Sequence, residues 1–179
     1  MNDPLTQKMR YYLQLLRWNK PSGRLILLVP AGWSLWLTPS APPSLIVLGI
    51  TILGGLFVSG AGCIVNDIWD RQFDKKVIRT KGRPLANGKV SLKSAWILLT
   101  LMLLLSLFTV LSIPKEGRDL CFTLAAFSLP FILLYPSAKR WFRYPQLILS
   151  ICWGFSVLIP WAASESSLDG GLTLVFCWL

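Results

Sequence analysis

A series of long apolar runs without charged residues restricts the fold of this chain more than any other feature. Several runs approach the roughly 20 residues that a helix needs to cross a bilayer. Lipid cannot satisfy exposed backbone groups, so spanning segments are helices or closed barrels, and the sequence lacks the alternating strands of a membrane barrel. Only 15% of the residues are charged. The sequence therefore predicts an all-α, polytopic transmembrane helical bundle.

The runs predict five full spans and the start of a sixth. Residues 1–20 are polar and basic, and we expect a helix over Gln7–Asn19 to lie at the membrane interface. A second polar stretch, residues 66–91, is expected to be a cytoplasmic aspartate-rich loop. The predicted spans are Pro21–Leu37, Leu45–Val65, Leu92–Ile113, Leu120–Tyr135 and Leu147–Ala163.

The final apolar run, Gly171–Leu179, would cover only about 13 Å as a helix, which is under half of a bilayer core. We therefore expect residues 1–179 to form a single transmembrane domain that is incomplete at its C-terminal end.

The basic residues lie on one side of the predicted membrane. If the spans alternate, 16 of the 18 Lys and Arg share that side, and only Lys115 and Arg118 fall on the other. The positive-inside rule then places the N-terminus and the aspartate-rich loop in the cytoplasm, within an inner (plasma) membrane. Topology accounts for the net charge of +10, so we expect no nucleic acid partner, and no obligate protein partner is evident.

The absence of histidine excludes imidazole bases and most catalytic zinc sites.

An acidic cluster follows the second span, whose end is rich in glycine. On a helix with about 100° per residue, its polar groups occupy roughly a third of the circumference. Closely spaced carboxylates repel each other unless cations are present, and Mg²⁺ takes oxygen ligands while bridging carboxylates to phosphates. The alternative is a solvated helix end whose acids pair with Arg71, Lys75 and Lys76. The cluster consists of Asn66, Asp67, Asp70 and Asp74.

Basic residues near the cluster suit a phosphate-bearing substrate. Arg79, Lys81 and Arg83 come just beyond the acids. Tyr135 and Lys139 are four residues apart, so on a helix they would face the same site.

These motifs resemble the UbiA superfamily of intramembrane aromatic prenyltransferases. The acidic cluster is similar to its first aspartate-rich motif, and the segment from Arg79 to Gly88 looks like the one that follows it. Tyr135-Pro136, Lys139-Arg140 and Pro145-Gln146 resemble the signature of the 4-hydroxybenzoate polyprenyltransferase branch. Asn19-Lys20-Pro21 with Gly23 is similar to the opening of that branch.

The resemblance implies a bundle of about nine helices around a lipid-open cavity, in which Mg²⁺ holds a polyprenyl diphosphate. Diphosphate departs, and the ring of 4-hydroxybenzoate attacks the allylic cation next to its hydroxyl, in ubiquinone or plastoquinone biosynthesis. It implies metal binding by Asp67, Asp70 and Asp74, catalytic roles for Asp67, Asp70, Tyr135 and Lys139, and diphosphate binding by Asn66, Arg79, Lys81, Arg83 and Arg140.

The family's second aspartate motif would lie beyond span five. The only acids after Asp119 are Glu165 and Asp169, which are predicted on the opposite side. We therefore expect the 179-residue chain to be inactive alone. The alternatives are a related enzyme with another acceptor, such as chlorophyllide, homogentisate or naphthoate, and a non-catalytic membrane protein that binds anionic lipid or cations.

Overall fold

A computed structural model describes residues 4–20 and 22–178, which are helical apart from short turns and one longer connection. The described residues contain no strand. The helices are α1 (Pro4–Leu15), α2 (Ser22–Trp36), α3 (Leu45–Asp74), α4 (Leu92–Leu111), α5 (Lys115–Ala138), α6 (Pro145–Glu165) and α7 (Gly171–Trp178).

Four helices, α3 to α6, are long and apolar enough to cross a membrane. The first predicted span falls on α2, whose 15 described residues are fewer than the roughly 20 that a crossing requires. The structure thus supports a helical membrane protein with four long spans, and the count of five stays a prediction.

Two helix boundaries differ from the sequence prediction. α3 continues nine residues past Val65, so the first third of the expected loop 66–91 is helical. Apolar residues at Ile68, Trp69 and Phe73 interrupt the polar run and allow the helix to keep packing. α5 begins at Lys115 rather than at Leu120, directly after Pro114, and Glu116 lies in its first turn, where a negative charge suits the helix dipole.

Small residues allow the helices to approach closely. α4 packs along α3, α5 packs along α6, and α2 contacts both α6 and α3. A Cβ on Gly55 would lie 2.7 Å from Leu28 Cδ2, and one on Gly60 would lie 2.9 Å from Leu16 Cδ2. The glycine-rich half of α3 is therefore a contact surface, although Gly62 faces open space.

The buried residues form two clusters at the two ends of the bundle. One end, which we call the acidic end, contains the last turns of α3, the start of α4 and the chain between them; its core includes Ile64, Leu85 and Leu99. The other, the opposite end, contains the start of α3 and the ends of α2, α4 and α6; its core includes Leu35, Val110 and Ala162.

One face of the N-terminal segment packs against protein, and the location of this segment at the membrane interface stays a prediction. Leu15 and Leu16, on the apolar face of that segment, are buried in the acidic-end core, with Tyr11, Tyr12 and Trp18 packed against them. This face therefore contacts protein rather than lipid, because α3 and α4 offer a complementary apolar surface. The helix itself covers Pro4–Leu15 and ends earlier than expected.

Candidate functional site at the acidic end

The last turns of α3 present the three aspartates at the acidic end, where two of them are buried. Asp67 is 2% exposed and Asp74 is 7% exposed. Asp70 is less buried, with 20% of its side chain exposed. Burying a carboxylate costs free energy unless it is paired and hydrogen-bonded. The partners of these carboxylates therefore define the site.

Arg83 joins the two buried carboxylates. Its Nη1 lies 2.7 Å from Asp74 Oδ2 and 3.1 Å from Asp67 Oδ1. The chain around it is anchored because Leu85 and Ala86 are buried in the core, and Val90 N donates a hydrogen bond to Pro84 O at 3.0 Å. The connection between α3 and α4 is thus folded so that one guanidinium returns to the helix that precedes it.

Arg17 is a second cation at the site, and its chain segment is distant in sequence. Its Nη2 lies 3.0 Å from Asp67 Oδ1, across 50 residues. Sequence reasoning counted Arg17 only among the basic residues that set topology. The sequence feature that could have indicated a role for Arg17 at the site is its position just before the Asn19-Lys20-Pro21 motif.

The end of α5 brings two more cations to the less buried aspartate. Arg140 Nη2 lies 3.0 Å from Asp70 Oδ1, and Lys139 Nζ lies 3.6 Å from Asp70 Oδ2. Lys139 also donates to Asn66 Oδ1 at 2.8 Å. Arg140 also donates to the carbonyl of Trp69 at 2.7 Å. These contacts dock the end of α5 on the end of α3.

Aromatic side chains border these cations. Lys139 Nζ lies 5.4 Å from the ring centroid of Tyr135, so the two residues share a face as predicted from their spacing. The Arg140 guanidinium lies 4.3 Å from the ring centroid of Phe73, a cation–π distance. Trp69 Nε1 donates to the carbonyl of Leu133 at 3.2 Å and completes the contact between α3 and α5.

The structure divides the predicted site residues into three groups. Asp67 and Asp74 share Arg83, whereas Asn66 and Asp70 face Lys139 and Arg140, so different cations pair with the two halves of the acidic cluster. The reason is that neighbouring cations arrive from both sides of α3. The third group is Arg79 and Lys81, which are exposed in the connection after α3 and contact none of the carboxylates.

The alternative of a solvated helix end predicted local pairing with Arg71, Lys75 and Lys76. Each ion pair of these aspartates among residues 4–20 and 22–178 instead uses a cation from another part of the fold. The acidic end is therefore an assembled site rather than a locally neutralised helix terminus.

The donor chemistry of the aspartates suits Mg²⁺, which prefers carboxylate oxygens. Within the described part of the chain, no three acidic or cysteine side chains converge on one point in the way a preformed metal cage would require. Both hydrogen bonds described for Asp67 end on Oδ1, one from Arg17 and one from Arg83. The residues present fit a metal that is shared with a bound anion.

Comparison with known families places the chain among membrane-embedded prenyl-transferring proteins. The model of the UbiA prenyltransferase family matches residues 27–179. The chain belongs to the UbiA prenyltransferase family, and it is an integral membrane protein with long apolar helices.

Two curated relatives share more than two fifths of the aligned residues. A 4-hydroxybenzoate octaprenyltransferase of Legionella pneumophila (strain Lens) is 41% identical over 165 residues, which cover 92% of this chain and 57% of the relative. A 4-hydroxybenzoate solanesyltransferase of Synechocystis is 45% identical over 156 residues, covering 87% of this chain and 52% of the relative. The chain thus spans about half the length of the curated relatives it matches.

The helical arrangement also matches a solved structure. A UbiA homologue from Archaeoglobus fulgidus, solved with GPP and Mg²⁺ bound, superimposes with a TM-score of 0.75 at 19% identity, covering 93% of this chain and 59% of that one. This likeness concerns the fold.

Proposed function

We propose that the protein takes part in the transfer of a polyprenyl group from polyprenyl diphosphate to the ring carbon next to the hydroxyl of 4-hydroxybenzoate, in quinone biosynthesis. The observation that carries the proposal is the convergence at the acidic end: carboxylates of one helix meet cations from the N-terminal segment, from the connection after α3 and from the end of α5. The names of the curated relatives supply the reaction class.

The cations have a direct part in this reaction. Lys139 and Arg140 each hold an edge of Asp70 in an ion pair with more than a third of the cation side chain exposed, so they are able to exchange the carboxylate for a phosphate oxygen. Stabilising the departing diphosphate is the step that cations promote. Tyr135, beneath the Lys139 ammonium, orients that amine toward the leaving group.

Mg²⁺ would be held by oxygens of Asp67, Asp70 and Asp74, and it would neutralise charge on the diphosphate. Arg83 bridges Asp67 and Asp74, which lie about two turns apart on α3. The apolar flanks of α3 to α6 provide an environment that keeps water from an allylic cation.

The orientation in the membrane is inferred from the distribution of the basic residues. In the predicted topology, 16 of the 18 Lys and Arg fall on the side of the acidic cluster, and the positive-inside rule assigns that side to the cytoplasm. The proposal therefore includes a multi-pass location in the plasma membrane with the acidic end facing the cytoplasm.

The reaction can be tested in a chimera in which this chain replaces the matching part of the Legionella relative, which supplies the remaining length. Membranes that contain the chimera receive Mg²⁺, octaprenyl diphosphate and 4-hydroxybenzoate, and the product is measured by mass spectrometry. We expect product, and a loss of about a thousandfold or more in Asp67→Asn and Asp70→Asn because metal stabilisation of the leaving group supplies several kcal/mol. Glu165→Gln, at the opposite end, is the matched control and retains turnover.

Each failure has a distinct meaning. Turnover that persists in both aspartate variants contradicts the site, and turnover that is undiminished by EDTA contradicts the metal. A folded chimera that makes no product beside an active parent contradicts the reaction itself.

A further inference from the structure

The turn that ends α1 places an arginine where a helix terminus favours glycine. Arg17 has a φ of 54°, in the left-handed region. Its N–H donates to Gln14 O at 3.0 Å, and the next N–H, of Trp18, donates to Leu13 O at 2.9 Å. This pair of bonds is the Schellman motif, and its left-handed position is usually glycine because a Cβ is unfavourable there.

The side chain of Arg17 explains why a strained position holds arginine. Its guanidinium contacts the most buried aspartate of the site, Asp67, at 3.0 Å. Arg83 reaches the same oxygen, Oδ1, at 3.1 Å. Two guanidiniums therefore hold one oxygen of this carboxylate and restrict its orientation.

A second left-handed residue provides a comparison within the same molecule. Ser166 has a φ of 56° at the end of α6, and its N–H donates to Ala162 O at 2.9 Å. It lies at the opposite end of the bundle, and its side chain forms no ion pair. The backbone requirement is thus the same at both residues, whereas only Arg17 contacts a carboxylate of the candidate site.

We propose that Arg17 is a positioning residue that orients the Asp67 carboxylate for a metal-bound diphosphate, at the expense of backbone strain in the turn after α1. The inference rests on the proposed function, because it assigns Asp67 to that ligand. Side chains that orient a metal ligand typically affect metal affinity by about 10- to 100-fold when they are replaced.

The test separates backbone strain from carboxylate positioning. The purified 179-residue chain in detergent is titrated with Mg²⁺ in the presence of geranyl diphosphate by calorimetry, and its thermal midpoint is recorded. We expect Arg17→Gly to keep or raise the thermal midpoint because glycine relieves the left-handed backbone, while its apparent Kd for Mg²⁺ rises by about tenfold or more. Ser166→Gly, the matched control, is expected to raise the midpoint and leave the Kd unchanged.

Two further variants make the outcome decisive. Arg17→Lys keeps the charge without the guanidinium geometry, and its affinity for Mg²⁺ is expected to lie between those of the unaltered chain and Arg17→Gly. If Arg17→Gly does not fold, the Kd of Arg17→Lys tests the positioning role instead. In Asp67→Asn, adding Arg17→Gly is expected to cause no further loss, since the two residues act as one unit.

An unchanged Kd in both Arg17 variants, or losses that simply add in the double variant, would overturn the inference while leaving the proposed function standing. Absence of Mg²⁺-dependent binding by the unaltered chain would also overturn it, whereas the reaction is judged separately by product formation in the chimera.

Discussion

The two ends of the bundle solve the same packing problem with different chemistry. Both bury an apolar core. The buried polar contacts at the opposite end are neutral: Ser34 Oγ donates to Val157 O at 2.7 Å, and the Cys121 thiol lies 3.5 Å from Ile159 O. The one charged contact described in that core, from Arg118 Nε to Ile113 O at 3.0 Å, is only partly buried. The acidic end closes with buried carboxylates and guanidiniums. Among the described residues, no charged side chain is fully buried at the opposite end.

The contrast between the two ends suggests why the acidic end contains buried carboxylates and guanidiniums. A buried ion pair is often no more stabilising than apolar residues of the same volume, because desolvation offsets the Coulomb attraction. Stability alone therefore does not explain the network at Asp67 and Asp74. A binding site for a charged ligand does explain it, since the network keeps carboxylates and cations together at the membrane boundary.

The largest effect on stability is expected from Arg83→Met. This change leaves Asp74 buried without its described ion-pair partner and leaves Asp67 with Arg17 alone. Breaking a buried pair on one side costs about 3–5 kcal/mol, because an uncompensated charge remains. Chemical denaturation in detergent measures the free energy of unfolding. Arg79→Met, on the same connection but exposed, is the control and is expected to change it by less than about 0.5 kcal/mol.

Adding Asp74→Asn and Asp67→Asn to Arg83→Met is expected to recover much of the lost stability, since the buried charges disappear with the cation. A loss that persists in the triple variant would mean that Arg83 stabilises by packing, and the contrast between the two ends would lose its electrostatic basis.

A smaller loss is expected at the opposite end from Gly117→Ala. A Cβ there would lie 2.6 Å from the backbone oxygen of Ala162, so α5 and α6 would have to separate. Overpacking of this kind costs about 1–3 kcal/mol. Gly49→Ala is the matched control, because a Cβ on Gly49 meets nothing within 4 Å. Mg²⁺ binding with geranyl diphosphate should be the same in both variants, and a selective loss in Gly117→Ala would link the two ends.

Sequence reasoning reached the helices more reliably than the contacts between them. Apolar runs and glycine spacing are local properties, so the long helices and the close approaches at Gly55 and Gly60 were predictable. The partner of Asp67 was not, because Arg17 is 50 residues away and reaches it only through the docking of α1 on α3.

The basic connection after α3 illustrates the same limit. Arg79, Lys81 and Arg83 were predicted as equivalent helpers, yet only Arg83 contacts the aspartates. What distinguishes Arg83 is its proximity to Leu85 and Ala86, whose burial turns the chain back toward the core. The charges of the three residues do not predict which one reaches the aspartates. The apolar residues Leu85 and Ala86, close to Arg83 in the sequence, could have predicted it.

Arg140→Met is expected to lose less stability than Arg83→Met or Gly117→Ala, although Arg140 belongs to the proposed site. Its side chain and that of Asp70 are 37% and 20% exposed, so solvent screens their pair, and the loss should be below about 1 kcal/mol. Binding of geranyl diphosphate with Mg²⁺ should nevertheless weaken by about tenfold, the usual cost of one charge-assisted hydrogen bond. Calorimetry measures the binding and denaturation measures the stability.

The matched control for Arg140→Met is Arg143→Met, whose guanidinium lies 5.5 Å from the ring centroid of Tyr144 and contacts no carboxylate in the described structure. It should leave both quantities unchanged. Equal binding losses in the two variants would reduce the role of Arg140 to general basicity. A stability loss as large as that of Arg83→Met would instead show that the outer pair is as structural as the inner one. A small stability effect with a selective binding loss in Arg140→Met would mean that the acidic end contains two kinds of cation. Arg83 would stabilise the buried carboxylates, whereas Arg140 at the edge would exchange its carboxylate for the ligand.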